Sequence, residues 1–183
     1  QPGFDLNLFT QQISEEQWQS IAQSEENTLC NRGIQGIYPP GSVFKLITAI
    51  AALEEGVVNL NETVYCPGYF KLGDSTFKCW KETGHGNQTF LEAIAHSCNV
   101  FFYTIGQRLG IDKLNYYAKM FGLGETTGID LPGELEGLVP SQGWKEATFD
   151  QVWYPGDTVN LSIGQGYLLT TPLQIHNMLC IIA

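Results

Sequence analysis

The chain has 183 residues, enough for one hydrophobic core and too few for several large domains. Hydrophobic residues make up 43% and aromatic residues 12%, a globular composition that excludes a disordered tail. Nine basic residues against nineteen acidic ones give a net charge of −10, the wrong sign for a nucleic-acid binder. No apolar run approaches the roughly 20 residues of a membrane-crossing helix. The longest, Val43 to Leu53, is interrupted by Lys45 and Thr48.

Residues 1–13, with Pro2, Gly3 and alternating Phe4, Leu6 and Leu8, read as an extended lead-in. Ser14-Glu-Glu-Gln17 has the form of a capping box and opens a short helix through Trp18 and Ile21. Pro39 and Pro40 block any helix before Gly41. From Ser42 an Ala-, Leu- and Ile-rich helix should run to Gly56, a suitable left-handed C-terminal cap. Being apolar almost all round, it should be buried on most faces. Residues 59–86 read as irregular, with β-like pieces at Thr63–Tyr65 and Tyr69–Leu72.

Thr89 and Glu92 form a second capping box, whose helix is interrupted near His96-Ser-Cys-Asn99 and continues to Gly106 or Gly110. Another helix follows Asp112 and ends at Gly122. Residues 123–157 read as loops with short strands, and Val159–Ile163 as a strand. Pro172 after Thr170-Thr171 is a favourable first helical residue. Both ends look cut: no Met or leader opens the chain, and the helix from Leu173 to Ala183 meets no stop signal. The chain is therefore expected to be part of a longer one.

Ser42 and Lys45 lie three apart at the first turn of the buried helix, a spacing that puts both side chains on one face. A serine hydroxyl becomes nucleophilic when a base takes its proton, and burial lowers a lysine's pKa enough to serve. The helix N-terminus adds partial positive charge beside the serine. Ser-x-x-Lys by itself is equally an N-cap serine followed by a snorkelling lysine. The pairing with Ser97-Cys-Asn99, which breaks a helix further along, changes that balance: Ser-x-x-Lys and Ser-x-Asn occur together in penicillin-binding proteins and serine β-lactamases.

Longer stretches carry the same resemblance. Asn31-Arg-Gly-Ile-Gln-Gly-Ile-Tyr-Pro-Pro-Gly-Ser-Val-Phe-Lys45, Trp80-Lys-Glu-Thr-Gly-His-Gly86, Thr127-Gly-Ile-Asp-Leu-Pro132 and Trp153-Tyr-Pro-Gly-Asp157 through Ile163-Gly-Gln-Gly166 resemble the class B penicillin-binding proteins, most closely the elongation type. That resemblance implies an α+β penicillin-recognising fold, with a helical lobe around the Ser42 helix packed on part of an antiparallel sheet. Residues 1–183 would be a partial transpeptidase domain on the extracytoplasmic face of the bacterial membrane. The implied activity is peptidoglycan D,D-transpeptidation, inhibited by β-lactams, with a membrane glycosyltransferase as partner.

By the same resemblance Ser42 is the nucleophile, Lys45 the general base and Ser97 a proton relay, while Asn99 holds substrate and lysine. The Ser42 N–H would be one oxyanion donor. The family's Lys-Thr-Gly, a third motif carried on a later strand, occurs nowhere in this sequence.

Five cysteines are present: Cys30, Cys66, Cys79, Cys98 and Cys180. Three of them and a histidine follow the order Cys66-x12-Cys79-x5-His85-x12-Cys98, a donor set suited to tetrahedral zinc. Gly84 and Gly86 flank His85, and Cys98 should point away from the side that Ser97 and Asn99 present to substrate. Some elongation-type relatives resemble this with Asp, Asp, His and Cys, so that Cys66 and Cys79 would replace two carboxylates. A Cys66–Cys79 disulfide is the alternative, because thiols oxidise outside the cytoplasm.

His96 reads as a capping or surface residue, His176 as solvent-facing or packed, and Cys30 and Cys180 as buried apolar residues. A serine β-lactamase or β-lactam sensor of the same fold, and a zinc-stapled scaffold without chemistry, are the competing functions.

Overall fold

The computed structural model describes residues 3–183. Among these residues it has eight α-helices, the short α2 (Arg32–Gln35) among them, and four short strands arranged as two separate two-stranded antiparallel sheets. The expected helix-rich α+β lobe is what forms.

Three helix starts obey their local signals. At α1 (Glu15–Ala22) the Ser14 N–H donates to Gln17 Oε1 at 2.9 Å while Ser14 Oγ accepts from the Gln17 N–H. Thr89 and Glu92 make the same reciprocal pair ahead of α4 (Phe90–Ala95). Thr171 and Gln174 repeat it ahead of α8 (Pro172–Ile182), where Pro172 fits the first turn. Gln174 is also buried, and its amide donates to the Glu125 and Glu136 carbonyls, fixing a long glycine-rich connection.

Four regions depart from the sequence reading. Leu6–Thr10, expected to be extended, forms a 3₁₀ turn because the Asp5 carboxylate accepts from the Asn7 N–H; Pro2 lies outside the described residues. The helix expected from Ser42 begins as a 3₁₀ turn, Gly41–Phe44, and becomes α3 at Lys45–Glu54. Residues 123–157 contain a helix, α6 (Gln142–Phe149), capped by Ser141. Val159–Ile163 is not a strand: it belongs to α7 (Pro155–Leu161) and the turn after it. Pro155 at the first helical position and an Asp157 carboxylate accepting from the Tyr154 N–H start that helix, and they outweigh a short β-branched run.

The core is built around α5 (Asn99–Met120), which packs on α3 and α7. Gly110 breaks its helical geometry at φ 75°, so the second half resumes at Ile111. Phe44, Phe101, Phe102, Ile105, Leu114, Leu161, Leu168 and Met178 are all fully buried in one cluster. Each such side chain contributes about 1.5–3 kcal/mol from burial. Gly106 lets α5 and α7 meet, because a Cβ there would lie 2.2 Å from Ser162 Cβ. Two further ties fix the Ser42 turn: Thr48 Oγ1 donates to the Ser162 carbonyl, and the Gly41 N–H donates to the Gly164 carbonyl.

The strands organise the region of the cysteines. β1 (Thr63–Cys66) pairs with β4 (Gly86–Thr89) in a register that sets Cys66 opposite Gly86, next to His85. β2 (Tyr69–Leu72) and β3 (Ser75–Lys78) form a hairpin turned by Gly73-Asp74. Neither β3 nor β4 was anticipated, since both are polar and lack an alternating pattern. The Cys79 N–H donates to the Gly68 carbonyl at 2.8 Å, closing the base of the hairpin.

Candidate active site

Ser42 is exposed on the turn before α3, and Lys45 is buried at the start of that helix. The Lys45 ammonium makes three hydrogen bonds: to the Ser97 carbonyl at 2.8 Å, to Ser97 Oγ at 2.9 Å and to Asn99 Oδ1 at 2.7 Å. An ammonium has three protons, so these bonds use every donor. The Ser97 hydroxyl in turn donates to Ser42 Oγ at 3.1 Å. The four residues singled out in the sequence are thus one connected network, and the hydrogen-bonded route from Lys45 to Ser42 passes through Ser97.

Burial, with the Phe102 ring 5.4 Å from the nitrogen, pulls the Lys45 pKa down to about 8, against an opposing pull from Cys79 and Cys98. The lowered value makes a minor but usable fraction of neutral amine available near physiological pH, where an ordinary lysine has almost none. Asn99 is the first residue of α5, and its amide also donates to the Lys78 carbonyl at 3.4 Å, which ties the lysine's partner to β3.

Ser97 occupies a left-handed conformation, φ 50°, between α4 and α5. The Cys98 N–H donates to the Ala93 carbonyl and the Ser97 N–H to the Ile94 carbonyl, the paired bonds of a Schellman ending. Glycine is the usual residue at that point; a serine there is strained by about 1–2 kcal/mol. Sequence reading found the helix interruption at Ser97 but not the cause of its shape.

The thiol cluster lies on the far side of this turn. Cys66 Sγ and Cys79 Sγ are each 3.5 Å from His85 Nδ1, and the donor atoms of Cys66, Cys79, His85 and Cys98 all lie within 4.8 Å of one another. In a tetrahedral site with ordinary Zn–S and Zn–N bonds the sulfur-to-nitrogen edge is about 3.6 Å. The spacing found here fits. All five cysteines are free thiols, and the Cys66–Cys79 disulfide is not formed.

Burial pushes the Cys98 thiol up to about 12, with Cys66 and Cys79 adding to the rise. Burial raises Cys79 as well, but N–H groups of Lys81, Asn99 and Val100 hold it below the usual thiol range. Two of those donors belong to the first turn of α5, which has no side-chain cap. A sulfur therefore takes the place of a capping oxygen, and the helix N-terminus favours thiolate at Cys79. His85 is held below its ordinary value by burial and by Lys81, His96 and Lys45, a shift toward the neutral ring that ligation requires. Cys98, fully buried, faces this cluster while Ser97 and Asn99 face Lys45, as the alternation in the sequence implied.

The remaining candidates separate. His96 caps α4 and pairs its Nδ1 with Gln88 Oε1 at 2.7 Å. His176 is exposed, 3.7 Å from Cys180 on α8. Cys180 is exposed and Cys30 half-buried, contrary to the expectation that both are buried; the outer face of α8 carries Cys180 with Leu179 and Ile181. One pair was missed in the sequence. Lys145 is buried, with its ammonium 2.5 Å from Asp157 and 4.4 Å from the Tyr154 ring centre. The signal was the Tyr-Pro-Gly-Asp stretch, but its partner lies on a helix that was read as loop.

The penicillin binding protein transpeptidase domain family matches residues 3–183. The peptidoglycan D,D-transpeptidase MrdA of Acinetobacter baumannii is 43% identical over 176 residues, covering 95% of this chain and 26% of the relative. The chain thus spans about a quarter of that protein's length. Pseudomonas aeruginosa PBP2 in complex with WCK 5153 superposes with a TM-score of 0.92 at 41% identity, covering 97% of this chain and 41% of that one. Penicillin-binding protein A of M. tuberculosis, solved as a ceftriaxone acyl-enzyme complex, gives a TM-score of 0.85 at 28% identity, covering 99% and 40%. With the family matched along the whole described chain, and with the same helix-rich fold in its solved relatives, this chain belongs to the penicillin-binding protein transpeptidase domain family.

Proposed function

We propose that residues 1–183 are part of the transpeptidase domain of a peptidoglycan D,D-transpeptidase, working on the extracytoplasmic face of the bacterial membrane. The observation that carries this reading is the buried Lys45 ammonium, bonded to Ser97 and Asn99, with the Ser97 hydroxyl touching Ser42. Similarity to a D,D-transpeptidase and to a β-lactam acyl-enzyme supports the reaction class.

Ser42 Oγ attacks the penultimate D-Ala carbonyl of a stem pentapeptide while its proton passes to Lys45, with Ser97 as the relay. The Ser42 N–H stabilises the oxyanion. The C–N bond then breaks, the terminal D-Ala amine takes a proton through Ser97, and an ester remains on Ser42. The amine of a second stem peptide attacks that ester and frees the serine, leaving a peptide cross-link. Asn99 orients both the substrate amide and Lys45. A β-lactam would acylate the same hydroxyl, and the resemblance to the elongation type brings a membrane glycosyltransferase as partner.

We further propose that Cys66, Cys79, His85 and Cys98 hold a structural zinc ion. When bound, zinc would cross-link the four residues as a structural site. Cys98 then anchors the turn that carries Ser97 and Asn99.

The test is acylation of the intact protein by a fluorescent penicillin, with peptide mapping of the label. A stable adduct on Ser42 is expected. An unlabelled protein overturns acyl transfer and favours the scaffold; rapid release of hydrolysed penicillin marks a β-lactamase instead.

A further inference from the structure

Trp80 is 62% exposed on the loop between Cys79 and His85, although indole is a large apolar group. Its ring lies edge-on to His85 with the centres 5.1 Å apart. Its Nε1–H points at the end of α4, 3.1 Å from both the His96 and the Ser97 carbonyls. The last carbonyls of a helix have no partner within it. At α4 the Ala93 and Ile94 carbonyls are taken by the Schellman bonds, while the carbonyls of the cap residue His96 and of Ser97 just beyond it accept from Trp80. The Ser97 carbonyl therefore has two donors from different directions, Lys45 Nζ at 2.8 Å and the indole. Ser97 is also the residue held at φ 50° against its intrinsic preference, so its shape depends on such outside bonds.

We propose that Trp80 is a positioning residue for acylation: its indole N–H clamps the left-handed turn at Ser97 and so keeps Ser97 Oγ between Lys45 and Ser42. The inference rests on the acyl-transfer reading of that network. Trp80 touches none of the reacting atoms in it. It acts through the backbone of Ser97, as a second tie from the cysteine loop to the catalytic turn, independent of Cys98. The indole N–H, not the bulk of the ring, is the group that matters.

The experiment compares the intact wild-type protein with Trp80→Phe, which keeps a ring and removes the donor. A second variant carries benzothienylalanine at position 80, where sulfur replaces the N–H in a ring of the same size. Acylation is followed with a fluorescent penicillin and with 6-aminopenicillanic acid, which lacks the acyl side chain, separating the pre-covalent binding constant from the acylation rate constant. Metal content and Tm are measured alongside. Loss of one neutral hydrogen bond should slow the acylation step about three- to tenfold with both probes. Binding constant and metal content should be unchanged, and Tm should fall by no more than a few degrees.

Acylation of the benzothienyl variant within about a factor of two of wild type overturns the proposal, by the same measure of one hydrogen bond. So does a loss confined to one probe, which would make the ring a ligand contact, or a loss that follows metal content and Tm in both variants. If the wild type is not acylated at all, the acyl-transfer reading fails, and this inference with it.

Discussion

Ser97 Oγ lies 2.9 Å from Lys45 Nζ, and Ser42 Oγ lies 3.1 Å beyond it on the same chain of hydrogen bonds. On the proposed mechanism the second serine is the intermediary between base and nucleophile. Ser97→Ala should slow acylation by about 10²–10³-fold, within the range of a lost proton-transfer group. Fold and metal content should be preserved. Quenched-flow labelling with intact-mass detection reads the rate; a fall below about fivefold would mean that Lys45 deprotonates Ser42 without help.

The lysine sets a pH dependence. Its pKa of about 8 in the folded protein makes the neutral amine scarce at acid pH. Acylation should rise about tenfold per pH unit up to pH 8 and then level off. Lys45→Arg, which cannot lose its proton, should be nearly inert and without that limb. The stability effect has a definite sign. Between about 8 and the ordinary value of 10.5 the unfolded chain holds a proton that the folded one has shed, so this group's contribution to stability rises with pH across that window.

Zinc content is expected to be about one equivalent per chain, with His85→Ala and Cys66→Ser each leaving less than about half. Inductively coupled plasma mass spectrometry decides this. The same substitutions should lower Tm by roughly 5–10 °C and slow acylation, because Cys98 belongs both to the cluster and to the Ser97 turn. Metal-free wild-type protein with two thiols oxidised would end the zinc reading.

Gly84 is a test of the cluster's backbone. A Cβ there would lie 2.2 Å from the Cys66 carbonyl oxygen and 2.7 Å from the Pro67 carbonyl carbon, at φ 78°. Gly84→Ala should cost about 1–3 kcal/mol from the backbone angle alone. Gly86 has a similar positive φ of 70° but open space around it. The difference in Tm between Gly84→Ala and Gly86→Ala therefore isolates the steric overlap, and equal losses would refute it.

No Lys-Thr-Gly occurs in the chain. If, as the family resemblance implies, a Lys-Thr-Gly strand in a longer chain supplies a second oxyanion N–H, a polypeptide of residues 1–183 alone should be acylated about 10²–10³-fold more slowly than that longer chain. Rapid stoichiometric labelling of Ser42 in that polypeptide would show that the donor is dispensable.

Local rules were legible wherever a few neighbouring residues decide the outcome. The capping residues Ser14 and Thr89, the helix start at Pro172 and the interruption at Ser97 are legible because each depends on contacts within about five residues. Val159–Ile163 departs from the strand reading because the start signals just ahead of it, Pro155 and the Asp157 cap, set a helix whose Val159 and Leu161 are then buried against α5. β3 and β4 were invisible for a different reason: their pairing is set by hairpin closure and by β1, not by an apolar alternation of their own.

The sequence by itself determined which groups were available: a serine, a lysine, a Ser-x-Asn and a Cys3His set, each of a type that fits only a few chemistries. Only tertiary structure decided their relations. Ser42 and Ser97 meet across 55 residues, and Cys66 reaches His85 through the β1–β4 register. Burying Lys45 beside Phe102 is what lowers its pKa, and folding the cysteine loop onto the end of α4 is what brings the Trp80 N–H to the Ser97 carbonyl. Side-chain identity is a local property, whereas desolvation and hydrogen-bond partnership arise when distant segments exclude water together.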